Sequence, residues 1–237
     1  MHESQEHPFK ETLQDTEFSP VIKKLYNSPN KLVREWKVEE IEKREDIDLR
    51  IAEMKRGMKI FDVLRDNYGL NVVKTELILG GSKKDPKFYM VVDKIEGSNL
   101  NRIKNFPSEI LEEIDDLFIK IIKYYSDVYK NGGDYWWDFG NRQIVYGYKT
   151  GEEKDKFYIV DVEPRVREYK KHSKPDNFLF FSVFENIIID IKEAEKKFPV
   201  SFKLIKSRDL LRKFLDSIPS PESEYKYIIT AKKYLEQ

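Results

Sequence analysis

The chain has 237 residues and a formal net charge of zero, with 43 basic and 43 acidic side chains, so general electrostatic attraction to nucleic acid is not expected. It contains no cysteine, which excludes disulfides, thiolate zinc sites and cysteine nucleophiles. No apolar run approaches the roughly 18 residues of a membrane span, and the start lacks the apolar stretch of a signal peptide, so we expect a cytoplasmic protein.

The first part of the chain alternates between β-type and helical patterns. Residues 1–18 are polar and are expected to form a tail. Two β-type runs within 20–38 surround the turn-favouring letters NSPN, which predicts a hairpin. Apolar residues then recur at helical spacing and predict a helix near 46–66. Two strands are predicted next, at 72–80 and 87–95.

The second part of the chain is mostly helical in pattern. A strongly amphipathic helix is predicted with Ser108 as its N-cap, and the letters NGGD end it. Residues 142–164 have the pattern of a β-hairpin with a charged loop. Further helices are predicted near 182–197, near 207–217 and after Pro221. This arrangement of elements indicates the α+β class.

The order of these elements resembles a known superfamily. The stretch FYMVVDKIEGSNL at 88–100 resembles the connector between the lobes of a protein kinase, and a helix, a loop with an aspartate and a hairpin follow it. Over about 87–164 the chain resembles the protein-kinase-like superfamily, in the style of its compact, aminoglycoside-phosphotransferase-like members. The resemblance implies a two-lobed fold, with a reduced N-terminal β lobe over 19–95 and a mostly helical C-terminal lobe over 96–237, which contains the hairpin.

The letters DFG at 138–140 match the metal-binding tripeptide of kinases, but their position argues against that role. The catalytic loop would then lie upstream, where the nearest candidate, Asp127 to Asn131, is one residue too short. Only six residues separate Asn131 from Asp138, and two strands at about 3.3 Å per residue do not fit between them. We therefore assign Asp138 to the catalytic loop and the metal site to Asp161, which follows an apolar strand.

The resemblance then implies a role for each polar residue of this loop. Asp138 would accept or orient the hydroxyl proton of a phosphate acceptor, and Asp161 would hold Mg²⁺ against the phosphates of ATP. Gln143 stands five positions after Asp138, where the family has asparagine, and its amide oxygen is implied as a second metal ligand, with Asn141 as a substitute. Trp136 takes the place of the loop's usual histidine, which predicts that this polar support is missing.

The family also uses a lysine paired with a helix glutamate to bind the phosphates. Lys37, at the end of the first strand, and Glu53, 16 residues further on, are the candidates for this pair. Arg34 is the alternative to Lys37. No glycine precedes Gly57, so the chain lacks the glycine-rich loop that covers the phosphates in kinases.

The connector is implied to bind the adenine of the nucleotide through its backbone. The implied contacts are Asp93, Lys94 and Ile95, with Val92 controlling the depth of the pocket. These residues complete a candidate site for ATP.

Two functions follow from these assignments. A kinase-like phosphotransferase would move the γ-phosphate of ATP to a hydroxyl of an unknown small-molecule or protein acceptor, with Mg²⁺. A pseudokinase would use the same fold as a nucleotide- or protein-binding regulatory module without catalysis. Asp138 and Asp161 favour the enzyme, whereas Gln143 and the missing glycine loop favour the pseudokinase. An unrelated α+β binding protein is the third alternative.

Overall fold

The computed structural model of the chain describes most of its length, namely residues 28–36, 44–81, 86–161, 165–170, 174–198, 203–219 and 222–236. Within these ranges the chain is a mixture of helices and small antiparallel sheets. The predicted mixture of α and β structure is therefore confirmed. The tail predicted at 1–18 and the first arm of the hairpin predicted within 20–38 lie outside the described residues.

The first sheet has three antiparallel strands and one long helix between them in sequence. Strand β1 (Lys31–Trp36) precedes helix α1 (Arg44–Asp66), and strands β2 (Thr75–Gly81) and β3 (Pro86–Asp93) follow. The strand order is β1-β3-β2, so β3 is central. The centre of β3 is fully buried, as expected for the apolar letters of a central strand.

A second sheet begins directly after the first. Strand β4 (Ile95–Asn99) pairs with β6 (Ile144–Lys149), which forms the predicted hairpin with β7 (Lys156–Ile159). Gly97 and Gly147 face each other across β4 and β6, and a Cβ atom at either would collide with the backbone of the other strand. The two glycines therefore permit this pairing.

A two-stranded ribbon, which the sequence pattern did not predict, joins the hairpin to the helices. Strand β5 (Gly133–Trp136) pairs antiparallel with β8 (Val166–Tyr169). Gly132 and Gly133 have φ angles of 77° and 119°, which other residues rarely adopt. The two glycines therefore allow the chain to turn into β5. The letters NGGD therefore both end a helix and begin this ribbon.

Four helices form the rest of the described chain: α2 (Leu111–Asn131), α3 (Lys174–Glu195), α4 (Ile205–Asp216) and α5 (Lys226–Leu235). The prediction that Ser108 caps α2 is wrong, because Ser108 lies in a 3₁₀ turn before the helix and its side chain makes no capping bond. None of the helices in the described ranges combines the length and apolar character needed to cross a membrane.

The main core lies between α2 and α3 and is rich in aromatic rings. Tyr125 of α2 packs against Phe180 and Phe184 of α3, with ring centroids 6.3 and 6.1 Å apart. All three side chains are almost completely buried. The ribbon closes this core through Tyr135, whose ring meets that of Phe180 edge to face at 5.0 Å. The core thus fixes the ribbon, and the ribbon positions the loop that follows it.

Candidate active site

Two short segments cross between the ribbon and the second sheet. Residues 137–143 lead from β5 to β6, and the segment that starts at Val160 leads from β7 back to β8. Of this second segment the structure describes Val160, Asp161 and Arg165. We call residues 137–143, 160–161 and 165 the connector pair.

Backbone hydrogen bonds hold the connector pair together at both ends. The N–H of Val160 donates to the carbonyl of Gln143 at 2.8 Å, and the N–H of Trp137 donates to the carbonyl of Arg165 at 3.1 Å. Asp138 follows Trp137 at one end, and Asp161 follows Val160 at the other. The fold therefore brings the two acids predicted from the sequence onto neighbouring segments.

Asp138 is half-buried, and its environment changes its acidity. Burial raises the pKa of this carboxyl, and it outweighs the opposing effects of the Arg165 backbone N–H, the Trp136 indole and the Arg165 charge. The N–H of Arg165 donates to Oδ1 of Asp138 at 3.2 Å. A carboxylate with a raised pKa is a better proton acceptor than an ordinary surface aspartate.

The indole of Trp136 supplies a polar group beneath Asp138. Trp136 is almost completely buried between Phe61 and Phe139, with ring centroids 5.3 and 5.1 Å away. Within the described residues its indole N–H makes no hydrogen bond, yet it lies close enough to Asp138 to lower the pKa of that carboxyl. Trp136 therefore affects Asp138 through proximity and not through a hydrogen bond of the kind that the usual histidine would make.

Gln143 braces the loop that contains Asp138. Its side-chain Nε2 donates to the backbone carbonyl of Asp138 at 3.2 Å, and its backbone N–H donates to the carbonyl of Gly140 at 3.0 Å. The side-chain N–H of Gln143 is therefore already bound within its own loop. The predicted metal ligand is the other end of this amide, its oxygen.

Asp161 follows the apolar strand β7, as predicted. Its Oδ2 atom is shielded from solvent. Among the residues that the structure describes, no group of three or more histidine, cysteine, aspartate or glutamate side chains is arranged to hold a metal. Mg²⁺ commonly takes one or two carboxylates and fills its other positions with phosphate and water, so a carboxylate and an amide oxygen are donor types that this ion accepts.

Asp190 is a buried acid that the sequence analysis did not identify. It lies on α3, and the backbone of Asn141 in the connector pair is close enough to lower its pKa. Burial, together with the charge of Glu193, raises the pKa of Asp190 to about 7. A signal was present, because Asp190 is three residues after Ile187 and four before Ala194 on the apolar stripe of the helix.

The residues predicted to bind the phosphates are only partly described. Lys37 lies outside the described residues, whereas Arg34, its alternative, lies in β1 opposite Met90. Glu53 is exposed on α1, three residues before Arg56, which forms a two-pronged ion pair with Asp134 of β5. A pair between Lys37 and Glu53 stays a prediction.

The residues predicted to contact adenine lie together where β3 meets β4, and we call residues 92–95 the strand junction. The carboxylate of Asp93 contacts Lys31 at 2.7 Å and Lys149 at 3.3 Å. Burial alone would raise the pKa of Asp93, but these two ammonium groups outweigh it and the pKa is lowered. The N–H of Lys94 donates to the carbonyl of Asn30 at 2.9 Å.

The apolar side chains of the strand junction are also closely packed. Val92 is completely buried in a small cluster with Val73 and Tyr158, and Ile95 packs against the same cluster. In this conformation Val92 presents no surface to a ligand. The strand junction therefore contains the predicted residues, but the carboxylate of Asp93 and the N–H of Lys94 are already bound within the protein.

Comparison with known proteins adds no relative to this picture. No protein-family model matches the chain. No curated protein matches it either. The function proposed for the chain therefore depends on the geometry of the connector pair and the strand junction.

Proposed function

We propose that the chain is a kinase-like phosphotransferase with a two-lobed fold, which moves the γ-phosphate of ATP to the hydroxyl of an acceptor. The observation that supports this most is the connector pair, where backbone hydrogen bonds join the segment that contains Asp138 to the segment that contains Asp161. A half-buried aspartate beside a second acid at a strand end is a suitable arrangement for phosphoryl transfer. The first sheet with α1 would form the smaller lobe.

The proposed reaction assigns one task to each acid. Asp138 would take the proton from the acceptor hydroxyl while the hydroxyl oxygen bonds to the γ-phosphorus and the bond to the β-phosphate breaks, which releases ADP. Burial raises the pKa of Asp138, and this makes it a stronger base for that proton. Asp161 and the amide oxygen of Gln143 would hold Mg²⁺, which would neutralise charge on the phosphates.

Hydrogen bonds within the connector pair would keep Asp138 in place. The side chain of Gln143 donates to the backbone carbonyl of Asp138, and the backbone N–H of Arg165 donates to its carboxylate. A base held from both segments loses little freedom when substrate binds, which favours a reactive geometry.

A binding module without catalysis is the second candidate, and the strand junction favours it. There Lys94 donates its N–H within the protein, and Val92 is packed beneath Tyr158. An adenine base would need to displace these contacts or bind elsewhere. Gln143 also uses its amide to brace the loop, which leaves the second metal ligand less accessible.

Titration calorimetry with ATP and Mg²⁺ tests the proposal, with ADP release measured on the same samples, where water takes the place of the acceptor hydroxyl and phosphate is released with ADP. We expect Asp161→Asn to weaken nucleotide binding at least about tenfold, because it removes the charged metal ligand. Asp138→Asn should keep the nucleotide affinity but lower ADP release by about a hundredfold or more. Asp155→Asn, at the exposed tip of the hairpin, is the matched control and should change neither quantity.

The outcomes separate the two candidates. Nucleotide binding that depends on Asp161, with ADP release that depends on Asp138, supports the phosphotransferase. Nucleotide binding without ADP release supports the binding module. Wild-type protein that does not bind ATP with Mg²⁺ at millimolar concentration contradicts both.

A further inference from the structure

We propose that Arg165, Arg167 and Trp137 form a subsite for an anionic group of the acceptor, so that the acceptor is a hydroxyl-bearing phosphate monoester. This inference rests on the proposed function, because it places the acceptor hydroxyl at Asp138. It adds the chemical class of the acceptor, which the roles of Asp138 and Asp161 leave open.

The three side chains form one surface at the end of the ribbon. The guanidinium carbons of Arg165 and Arg167 lie 6.0 and 5.1 Å from the centre of the Trp137 ring. Both arginines are exposed, and Trp137 is half-buried. Arg165 directly precedes β8 and Arg167 lies within it, so the two are about 6.6 Å apart along the extended chain and both guanidinium groups can reach one anionic group.

The guanidinium groups of these arginines have no ion pair or hydrogen bond within the described part of the chain, although the charge of Arg165 also acts on Asp138. It is the backbone N–H of Arg165 that binds Asp138. By contrast, Arg56 is paired with Asp134 and Lys170 with Glu168. An arginine that stacks on an aromatic ring keeps its N–H groups available for an oxyanion.

The position of this surface matches the needs of the acceptor rather than those of the nucleotide. Arg165 is the residue whose backbone binds the carboxylate of Asp138, so its side chain starts next to the proposed base. Asp161, the proposed metal ligand, is at the other end of the connector pair. A phosphate monoester suits two arginines, because a guanidinium can donate two parallel hydrogen bonds to it.

The test is a titration without nucleotide, observed through the indole N–H signals of ¹⁵N-labelled tryptophan. The probe is glycerol 3-phosphate, with glycerol as the uncharged match, and Trp137→Phe assigns the signal. We expect glycerol 3-phosphate to move the Trp137 signal and glycerol to leave it in place. Arg167→Ala and Arg165→Ala should each weaken the apparent affinity about tenfold, and Arg167→Lys less.

Lys213→Ala is the control for the loss of one positive charge. Lys213 is exposed on α4, a helix that packs against α2 and α5, and its replacement should leave the affinity unchanged. If Arg165→Ala does not fold, as judged by circular dichroism, Arg167→Ala and the charge reversal Arg167→Glu still test the subsite. Equal affinity in wild type and the arginine variants, or no shift of the Trp137 signal, overturns the inference.

The same experiment distinguishes failure of the subsite from failure of the proposed function. Arginine-dependent binding of glycerol 3-phosphate by a protein that binds no ATP supports an anion site but removes the phosphotransferase. ATP binding that depends on Asp161, without arginine-dependent binding of glycerol 3-phosphate, overturns the subsite and leaves the phosphotransferase standing.

Discussion

The connector pair and the strand junction both lie where strands of two sheets meet, but they use their polar groups differently. At the strand junction, Asp93 is bound by two lysines and the N–H of Lys94 is bound by Asn30. At the connector pair, the indole N–H of Trp136 makes no hydrogen bond within the described residues, and Asp138 loses hydration through burial.

This difference is the reason for placing the proposed site at the connector pair and not at the strand junction. Buried polar groups without partners cost free energy, so a folded chain retains few of them away from functional positions. The strand junction satisfies its groups and joins the two sheets. The connector pair holds a partly desolvated carboxylate, and the preceding residue Trp136 has an indole N–H without a hydrogen bond in the described residues. Such an arrangement is typical of a site that binds or reacts.

The largest expected effect comes from removing the buried ring of Trp136, the residue before the connector pair. Trp136→Ala should lower the free energy of unfolding by about 3–5 kcal/mol, because it deletes a large buried ring between Phe61 and Phe139. Urea denaturation measures this loss. Tyr148→Ala, at an exposed position of β6, should cost within about 0.5 kcal/mol. Similar losses in the two variants would show that the ribbon is not part of the core.

The second effect concerns Asp190, the buried acid of α3 near Asn141 of the connector pair. Because burial raises the pKa of Asp190 to about 7, the folded protein binds this proton more tightly than the unfolded chain does. Its contribution to stability is therefore full at low pH and decreases as the pH rises from about 4 towards 7, by a few kcal/mol.

Asp190→Asn removes this dependence, since the amide does not titrate. Urea denaturation at about pH 5 and pH 8 should show that the variant gains stability relative to the wild type as the pH rises. A stability difference between the two proteins that stays constant with pH would contradict the buried acid.

The third effect tests the strand junction. Asp93→Asn should lower the free energy of unfolding by about 1 kcal/mol at neutral pH, because it weakens two ion pairs that are partly exposed. The pKa of Asp93 is lowered, so this stability is present above about pH 4 and is lost as the pH falls through the folded pKa. The wild type and the variant should therefore converge at about pH 2. A difference that persists there would mean that the charge of Asp93 is not the cause.

The smallest effect concerns the link between the first sheet's helix and the ribbon. Arg56 of α1 binds Asp134 of β5 through two hydrogen bonds, but both side chains are more than a third exposed. A double-mutant cycle with Arg56→Ala and Asp134→Ala should give a coupling of about 0.5–1 kcal/mol that shrinks in about 1 M NaCl. A coupling that does not depend on salt would contradict a screened surface pair.

Sequence periodicity predicted the long elements but not the short ones. The helix predicted near 46–66 is Arg44–Asp66, and the hairpin predicted within 142–164 is present, because both patterns repeat over many residues. The ribbon of β5 and β8 has four residues in each strand. Strands this short contain too few alternations to be recognised, and their pairing joins segments about 30 residues apart.

The candidate site shows the same division between local and long-range information. Asp138 and Asp161 were assigned from the order of elements along the chain, and each element can be predicted from a local sequence pattern. The partners of Asp138 depend on tertiary contacts, as with Arg165, which is 27 residues away. Asp190 is a similar case, because it comes close to Asn141 only when α3 packs against the loop.

The most direct test of the central claim is to locate the metal and nucleotide on the protein. Mn²⁺ replaces Mg²⁺ and broadens the NMR signals of nearby amides, so it can be added with ATP to ¹⁵N-labelled protein. We predict selective broadening of Asp138, Gln143 and Val160 in the wild type, and its loss in Asp161→Asn. Broadening that is absent from the connector pair, or unchanged in Asp161→Asn, would contradict a nucleotide site between these two segments.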